Sequence, residues 1–241
     1  MRIIQADHYD EMSKKAATII KSLVLLKPDC VLGLAAGDTP LGMYRELIEM
    51  YERKEVDFSE VTMFSVDEYC GLDKESHQSY HYYMNHNFFQ YINVKKTNTF
   101  IPNGMAKDLP EECRSYEQLI KDRGGIDLQV LGIGANGHIG FNEPDVEFRI
   151  ETHLVQLDDR TIKANARFFS TKEEVPTTAI SMGIKTILNA RRLLLLASGE
   201  SKAVPVQKAI QGGINPQVPA SIIQLHPDAI LILEKKAAKL L

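Results

Sequence analysis

Short apolar runs recur along this chain at residues 30–35 (CVLGLA), 61–66 (VTMFSV), 126–131 (IDLQVL), 192–197 (RLLLLA) and 229–233 (AILIL). Each has the length of a buried strand, and stretches with helical apolar spacing lie between them. Residues 9–25 place Met12, Ala16, Ile19, Ile20 and Leu23 on one helical face, with Asp7 or Asp10 as the expected cap, and Lys27-Pro28 stops that helix. Further helices are expected at 41–52, 79–91, 109–121 and 203–211, with a short one at 235–240 closing the chain. Shorter extended segments are expected at 2–5, 99–102 and 152–157. Strand and helix alternating in this way call for an α/β fold: a doubly wound, mostly parallel, Rossmann-like sheet with helices on both faces. At 241 residues the chain is long enough for one well-buried domain and too short for two, so 1–241 reads as a single domain. The least regular stretch, 145–178, is the expected flap.

Composition narrows the class of partner. A net charge of −4 argues against nucleic acid and against an anionic membrane surface, both of which favour a basic face. No apolar run approaches the ~20 residues that span a bilayer, and the first residues have no apolar core of a secretory signal. Cys30, Cys70 and Cys113 are widely spaced with no CxxC pattern, which fits a reducing cytoplasm and gives no zinc site. The expectation is a cytoplasmic, metal-free protein acting on a small molecule.

Polar groups gather where the apolar runs end. The run at 30–35 is followed by Gly37-Asp38-Thr39-Pro40 and a helix, a layout in which backbone N–H groups and a helix amino terminus can cradle a phosphate. A glycine placed for turn geometry alone gives the same letters. The run at 61–66 ends in Asp67-Glu68, of which only one side chain faces a given side of an extended chain, and Asp67 is the candidate base. The other reading of that pair is a turn or the cap of the following helix. The run at 126–131 leads into LGIGANGHIGFNEP, which combines glycines for close backbone approach with His138 and Glu143, groups that move protons near neutral pH. Read alone, that stretch is equally a glycine-rich turn with a surface His and Glu. Lys202 stands at the start of the 203–211 helix, where a bound anion would offset its unfavourable position.

Together GLAAGDTPLGMY, VDEYCGL, LGIGANGHIGFNEP and NARFF resemble the glucosamine-6-phosphate deaminases (isomerases), over essentially the whole chain. The related 6-phosphogluconolactonases read GHTASLFP where this chain reads GHIGFNEP. The resemblance is to the short members without the carboxyl-terminal extension of the allosteric hexamers, which implies a monomer or small homo-oligomer. It implies no cofactor and an amino sugar phosphate as substrate. It further implies that Asp67 takes the C2 proton and that His138 is the acid–base group of ring opening. Glu143 would orient His138, with Asn136 as a fourth, uncharged member of that set. The phosphate would rest on Gly37, Asp38, Thr39, Arg167 and Lys202.

Two residues depart from the family pattern. Asp38 stands where the family usually has Ser or Gly, placing a carboxylate at the expected phosphate seat, and Glu151 adds a second negative charge expected near it. The competing readings are a deaminase for galactosamine 6-phosphate or a related sugar, and a non-catalytic regulator that binds sugar phosphates.

Overall fold

The long apolar runs are buried strands in the computed structural model, which describes residues 1–169, 171 and 174–241, apart from the Phe168 side chain. Residues 170, 172 and 173, inside the expected flap, lie outside the described residues. The chain begins β1 (Arg2–Ala6), α1 (Tyr9–Leu26), β2 (Val31–Leu34), α2 (Asp38–Glu52), β3 (Thr62–Ser65) and β4 (Asp67–Tyr69). It continues α3 (Tyr80–Asn87), β5 (Thr99–Phe100), α4 (Leu109–Asp122), β6 (Leu128–Gly132), β7 (His153–Gln156) and α5 (Asp159–Asn165). It ends β8 (Thr178–Ser181), α6 (Ile184–Leu188), β9 (Leu193–Ala197), α7 (Ala203–Gln211) and β10 (Ala229–Glu234).

The main sheet has the order β1-β10-β9-β6-β2-β3-β5, and all its pairings are parallel. Successive residues of its central strands serve opposite cores. Leu32 and Leu34 pack with α1 and α2 (Met12, Ile20, Tyr44, Leu47), whereas Val31 faces the layer that holds Tyr116, Ile120 and Val206. Leu194 and Leu196 likewise face the first layer, and Leu193 and Leu195 the second. A parallel sheet covered on both faces needs apolar residues at every position, which is why these strands read as unbroken runs. Each such Leu withdrawn from water contributes roughly 1.5–3 kcal/mol before entropy is counted.

A second, three-stranded antiparallel sheet, β4-β8-β7, was not expected. The pair Asp67-Glu68 therefore does not end the third strand of the main sheet. β3 ends at Ser65, and Asp67 opens β4, opposite Ser181 of β8. A strand of three residues is too short to show a period, so sequence pattern could not find it.

Other boundaries differ for local reasons. The amino terminus of α1 is capped by His8, whose Nδ1 accepts from Glu11 N at 3.3 Å, while Glu11 Oε2 accepts from Asp7 N at 2.6 Å. This is a variant of the capping box, with histidine in place of Ser or Thr and the glutamate accepting from the residue before the cap. Neither Asp7 nor Asp10 caps through its side chain. α2 starts at Asp38, three residues before the expected helix, and residues 235–240 form turns rather than a helix. No helix among the described residues is long and apolar enough to cross a membrane.

Candidate active site

At the carboxyl end of β2 the chain turns through Gly37, whose φ of +106° suits glycine, and enters α2 at once. Tyr83 Oη donates to Gly37 O at 2.6 Å, and Tyr9 Oη donates to Asp38 O at 2.9 Å while accepting from Gly42 N at 2.7 Å. Two tyrosines thus pin the turn from either side. Because the cap residue is glycine, no side chain accepts from the first N–H groups of α2, which remain available to an anion. Asp38 is turned aside: its Oδ2 accepts from Arg167 Nη2 at 2.5 Å, in an ion pair that is more than half exposed. Lys202 stands across the same cleft, half-buried. Burial and then the Arg167 charge lower the Lys202 pKa.

Asp67 is only 5% exposed, and its Oδ1 has no hydrogen-bond partner among the described residues. Burial, and then the neighbouring Glu68, push its pKa well above the usual carboxylate range. Glu68 points the opposite way, as alternation in a strand requires. Its carboxylate accepts from the backbone N–H groups of Tyr69, Tyr80 and His81, all at 2.8 Å, and so holds the amino terminus of α3. Burial pushes the Glu68 carboxyl up to about 7, against the pull of those donors. The two carboxylates part: Asp67 lines the cleft and Glu68 anchors a helix.

Beyond β6, the loop from Ile133 to Glu143 folds back on itself, with His138 O accepting from Gly134 N at 2.9 Å. His138 Nδ1 lies 3.2 Å from Glu143 Oε2, and Asn136 Nδ2 donates to the same oxygen at 2.6 Å. Asn136 Oδ1 accepts from His138 N at 3.2 Å. Burial raises the Glu143 pKa, but the hydrogen bond and charge of His138, with hydrogen bonds from Thr161 and Asn136, bring it below its ordinary value. The imidazole is packed against Gly134, where a Cβ would sit 2.4 Å from ring atoms. The loop is tied down beyond His138 as well. Ser181 Oγ accepts from Phe141 N at 3.0 Å, and Asn142 Nδ2 donates to Met182 O at 2.8 Å. Ser181 therefore faces Asp67 across the small sheet and also holds the loop that carries His138.

These parts meet in one cleft of about 360 Å³, within the range of small-ligand sites. Gly37, Asp38, Thr39, Asp67, Asn136, His138, Arg167 and Lys202 line it. Glu143 does not line it and reaches it through His138. Glu151 is elsewhere, paired with Lys121 at 3.2 Å and Lys185 at 3.7 Å, so the expected negative charge beside the phosphate turn comes from Asp38 alone of the two. Sequence reasoning missed Tyr80, Arg160, Thr161 and Asn165, which also line the cleft. The last three come from α5, and Asn165 Nδ2 donates to Tyr69 Oη at 2.8 Å. The residues DDRTIKAN carry no signal beyond an amphipathic helix. Among the described residues, no three His, Cys, Asp or Glu side chains converge as a metal site.

The cleft has three stations: a buried carboxyl, a hydrogen-bonded imidazole–carboxylate pair, and an anion seat of helix N–H groups and cations. The chain as a whole is similar to known proteins. Residues 5–232 match the family described as glucosamine-6-phosphate isomerases/6-phosphogluconolactonase. A glucosamine-6-phosphate deaminase of Clostridium botulinum (strain Langeland) is 58% identical over 238 residues, covering 99% of this chain and 98% of that protein. One of Clostridium acetobutylicum is 56% identical over 241 residues, the full length of both. Among solved structures, a monomeric glucosamine-6-phosphate deaminase superposes with a TM-score of 0.98 at 47% identity, with both chains fully covered. A 6-phosphogluconolactonase of Thermotoga maritima shares the fold alone, with a TM-score of 0.75 at 18% identity over 97% of this chain and 99% of its own. By sequence and by structure over its whole length, the chain belongs to the glucosamine-6-phosphate deaminase family.

Proposed function

We propose that the protein converts glucosamine 6-phosphate and water to fructose 6-phosphate and ammonia. The observation that carries this reading is the convergence, in one cleft, of Asp67 with an unpartnered oxygen, the His138–Glu143 pair, and the seat formed by the α2 amino terminus, Arg167 and Lys202. The phosphate binds that seat, with Arg167 as a fork of donors and Lys202 as a point charge. His138 takes the proton from the sugar O1 and delivers it to the ring oxygen, breaking the C1–O5 bond and leaving an aldehyde. Glu143 and Asn136 hold the ring for that transfer.

Asp67 then takes the proton from C2. The C–H electron pair forms the C1–C2 double bond and the substrate ammonium passes a proton to O1, giving an enolamine. Protonation at C1 moves the double bond to C2 and nitrogen, and water adds to C2 and expels ammonia. A base with a raised pKa suits this step, because proton transfer is most effective when the base strength approaches that required. The ammonium of the substrate, placed beside Asp67, favours the ionised carboxyl at the moment it is needed. Within the expected flap, α5 and Arg167 line the cleft and act as its cover. We read the enzyme as monomeric, like the relative described so, and as cytoplasmic, in keeping with three free, buried cysteines.

The test is ammonia release from glucosamine 6-phosphate, coupled to detection of fructose 6-phosphate, with galactosamine 6-phosphate in parallel. Turnover of the glucosamine compound supports the reading. Turnover confined to the galactosamine compound overturns the substrate. Absence of turnover with either, while the sugar phosphate still protects against thermal unfolding, overturns the enzyme in favour of a binding protein.

A further inference from the structure

Thr161 lies in the first turn of α5 and is only 4% exposed. A threonine inside a helix commonly turns its hydroxyl back to the carbonyl one turn earlier. Here the hydroxyl crosses the cleft wall instead, and Thr161 Oγ1 lies 3.4 Å from His138 Nδ1. The same hydroxyl interacts with the Glu143 carboxylate and helps to hold that group ionised. Its neighbour Ile162 packs into the apolar cluster of Tyr69, Phe141, Val155 and Leu157, so α5 has its apolar anchor elsewhere. Burial of Thr161 thus places a hydroxyl at the acid–base pair.

The hydrogens at this junction can be counted. His138 Nδ1 faces two oxygens, Glu143 Oε2 at 3.2 Å and Thr161 Oγ1 at 3.4 Å. A carboxylate has no hydrogen to give, so the proton on that edge belongs to Nδ1, an assignment made from the hydrogen-bond pattern. Thr161 Oγ1 then receives a share of the Nδ1–H and turns its own hydrogen toward Glu143. Glu143 Oε1 is buried and has no hydrogen-bond partner among the described residues, so the carboxylate has acceptor capacity to spare. With Nδ1 protonated, Nε2 of the neutral ring is left as the acceptor that exchanges protons with a ligand. Without the hydroxyl, Nδ1–H retains only its contact with Glu143 Oε2 at 3.2 Å, an oxygen that Asn136 already occupies at 2.6 Å.

We propose that Thr161 is a positioning residue for ring opening: delivered by α5, its hydroxyl holds the His138 imidazole in one orientation against Glu143. Its hydroxyl acts through the pair. The proposal rests on the reading of His138 as the ring-opening group, and its test is built so that the two can fail separately.

The experiment compares Thr161→Val, nearly the same shape without the hydroxyl, with Thr161→Ser, which keeps it, by steady-state kinetics and by ¹⁵N NMR of the labelled imidazole. Loss of a hydrogen bond to a charged group corresponds to about tenfold or more. Thr161→Val is therefore expected to lower kcat about tenfold with KM within twofold, and Thr161→Ser to retain kcat within about threefold. In the resting protein, the Nδ1–H of His138 should be protected from exchange with water in the wild type and in Thr161→Ser, and exchange faster, with a displaced Nδ1 resonance, in Thr161→Val. If Thr161→Val does not fold, Thr161→Ala, which cannot overpack, replaces it with the same expected outcome. Equal kcat in the Val and Ser variants, or an unchanged Nδ1–H signal in Thr161→Val, overturns the proposal. A wild type that releases no ammonia overturns the deaminase reading, while the Nδ1–H measurement still decides the role of Thr161.

Discussion

Replacing Asp38 by Ser should strengthen substrate binding, although it removes a hydrogen-bonded ion pair. In the structure Asp38 Oδ2 takes one donor of Arg167 at 2.5 Å, at the mouth of the seat that the substrate phosphate needs. An incoming phosphate meets two costs: it must draw Arg167 away, and it must then sit near a like charge. The pair is exposed by 54% on the Asp38 side and 65% on the Arg167 side, so solvent screens both effects. An exposed pair of this kind is worth about 0.2–1 kcal/mol. Repulsion at ~4 Å amounts to about 1 kcal/mol in a water-like dielectric and ~4 kcal/mol at an effective value of 20, with the exposure favouring the lower figure. About 1–2 kcal/mol in total corresponds to a KM lowered by roughly five- to thirtyfold, with kcat unchanged. The assay is ammonia release against substrate concentration, repeated with inorganic phosphate as competitor, whose inhibition constant should fall in parallel. Both effects should shrink as salt is raised. A KM that stays the same or rises would refute the reasoning, because it would mean that Asp38 holds Arg167 in place for the phosphate rather than competing for it.

Asp67→Asn should lower kcat by at least the ~10²–10⁴-fold typical of a lost general base. It should also make the protein more stable at neutral pH. The folded-state pKa of Asp67 is raised, so its ionisation costs stability that is lost as pH rises through that value; the gain in Tm should be present at pH 8 and vanish near pH 4, and a pH-independent difference would contradict it. Glu68→Ala strips the acceptor from two backbone N–H groups at the start of α3 and from that of Tyr69 in β4, at a cost of about 3 kcal/mol, or a Tm lower by about 6–12 °C by calorimetry. Gly134→Ala puts a Cβ against the His138 ring and should reduce kcat about 100-fold, as a displacement near 1 Å does, and retention of activity would mean that the imidazole is free to move.

The main sheet was legible because a strand covered on both faces must be apolar throughout, and the runs at 30–35, 61–66, 126–131, 192–197 and 229–233 are all strands of it. The stations at Gly37, Asp67 and His138 were legible for a related reason: each apolar run ends abruptly in glycine and titratable residues. What escaped was tertiary. β4 is three residues long, and its partner β8 lies far along the chain, so neither shows a period. Thr161 and Arg160 occupy ordinary helical positions and become notable only when α5 is seen against the cleft. Glu151 illustrates the converse error, since its departure from the family pattern placed it near the phosphate seat in expectation, whereas Lys121 and Lys185 hold it elsewhere.

Ser181 is opposite Asp67 in the small sheet and also holds the backbone of Phe141, three residues beyond His138. The carboxyl and the imidazole are thus both gauged from one fully buried residue. Two parts referred to a common datum do not accumulate each other's errors, whereas parts located through separate loops do. A hexose fixes the distance from its C2 hydrogen to its ring oxygen covalently, and a protein that serves both atoms needs a spacing of matching constancy. The turns around the cleft can vary in length and composition without altering that spacing, while a shift of Ser181 by a fraction of an ångström would move both groups at once.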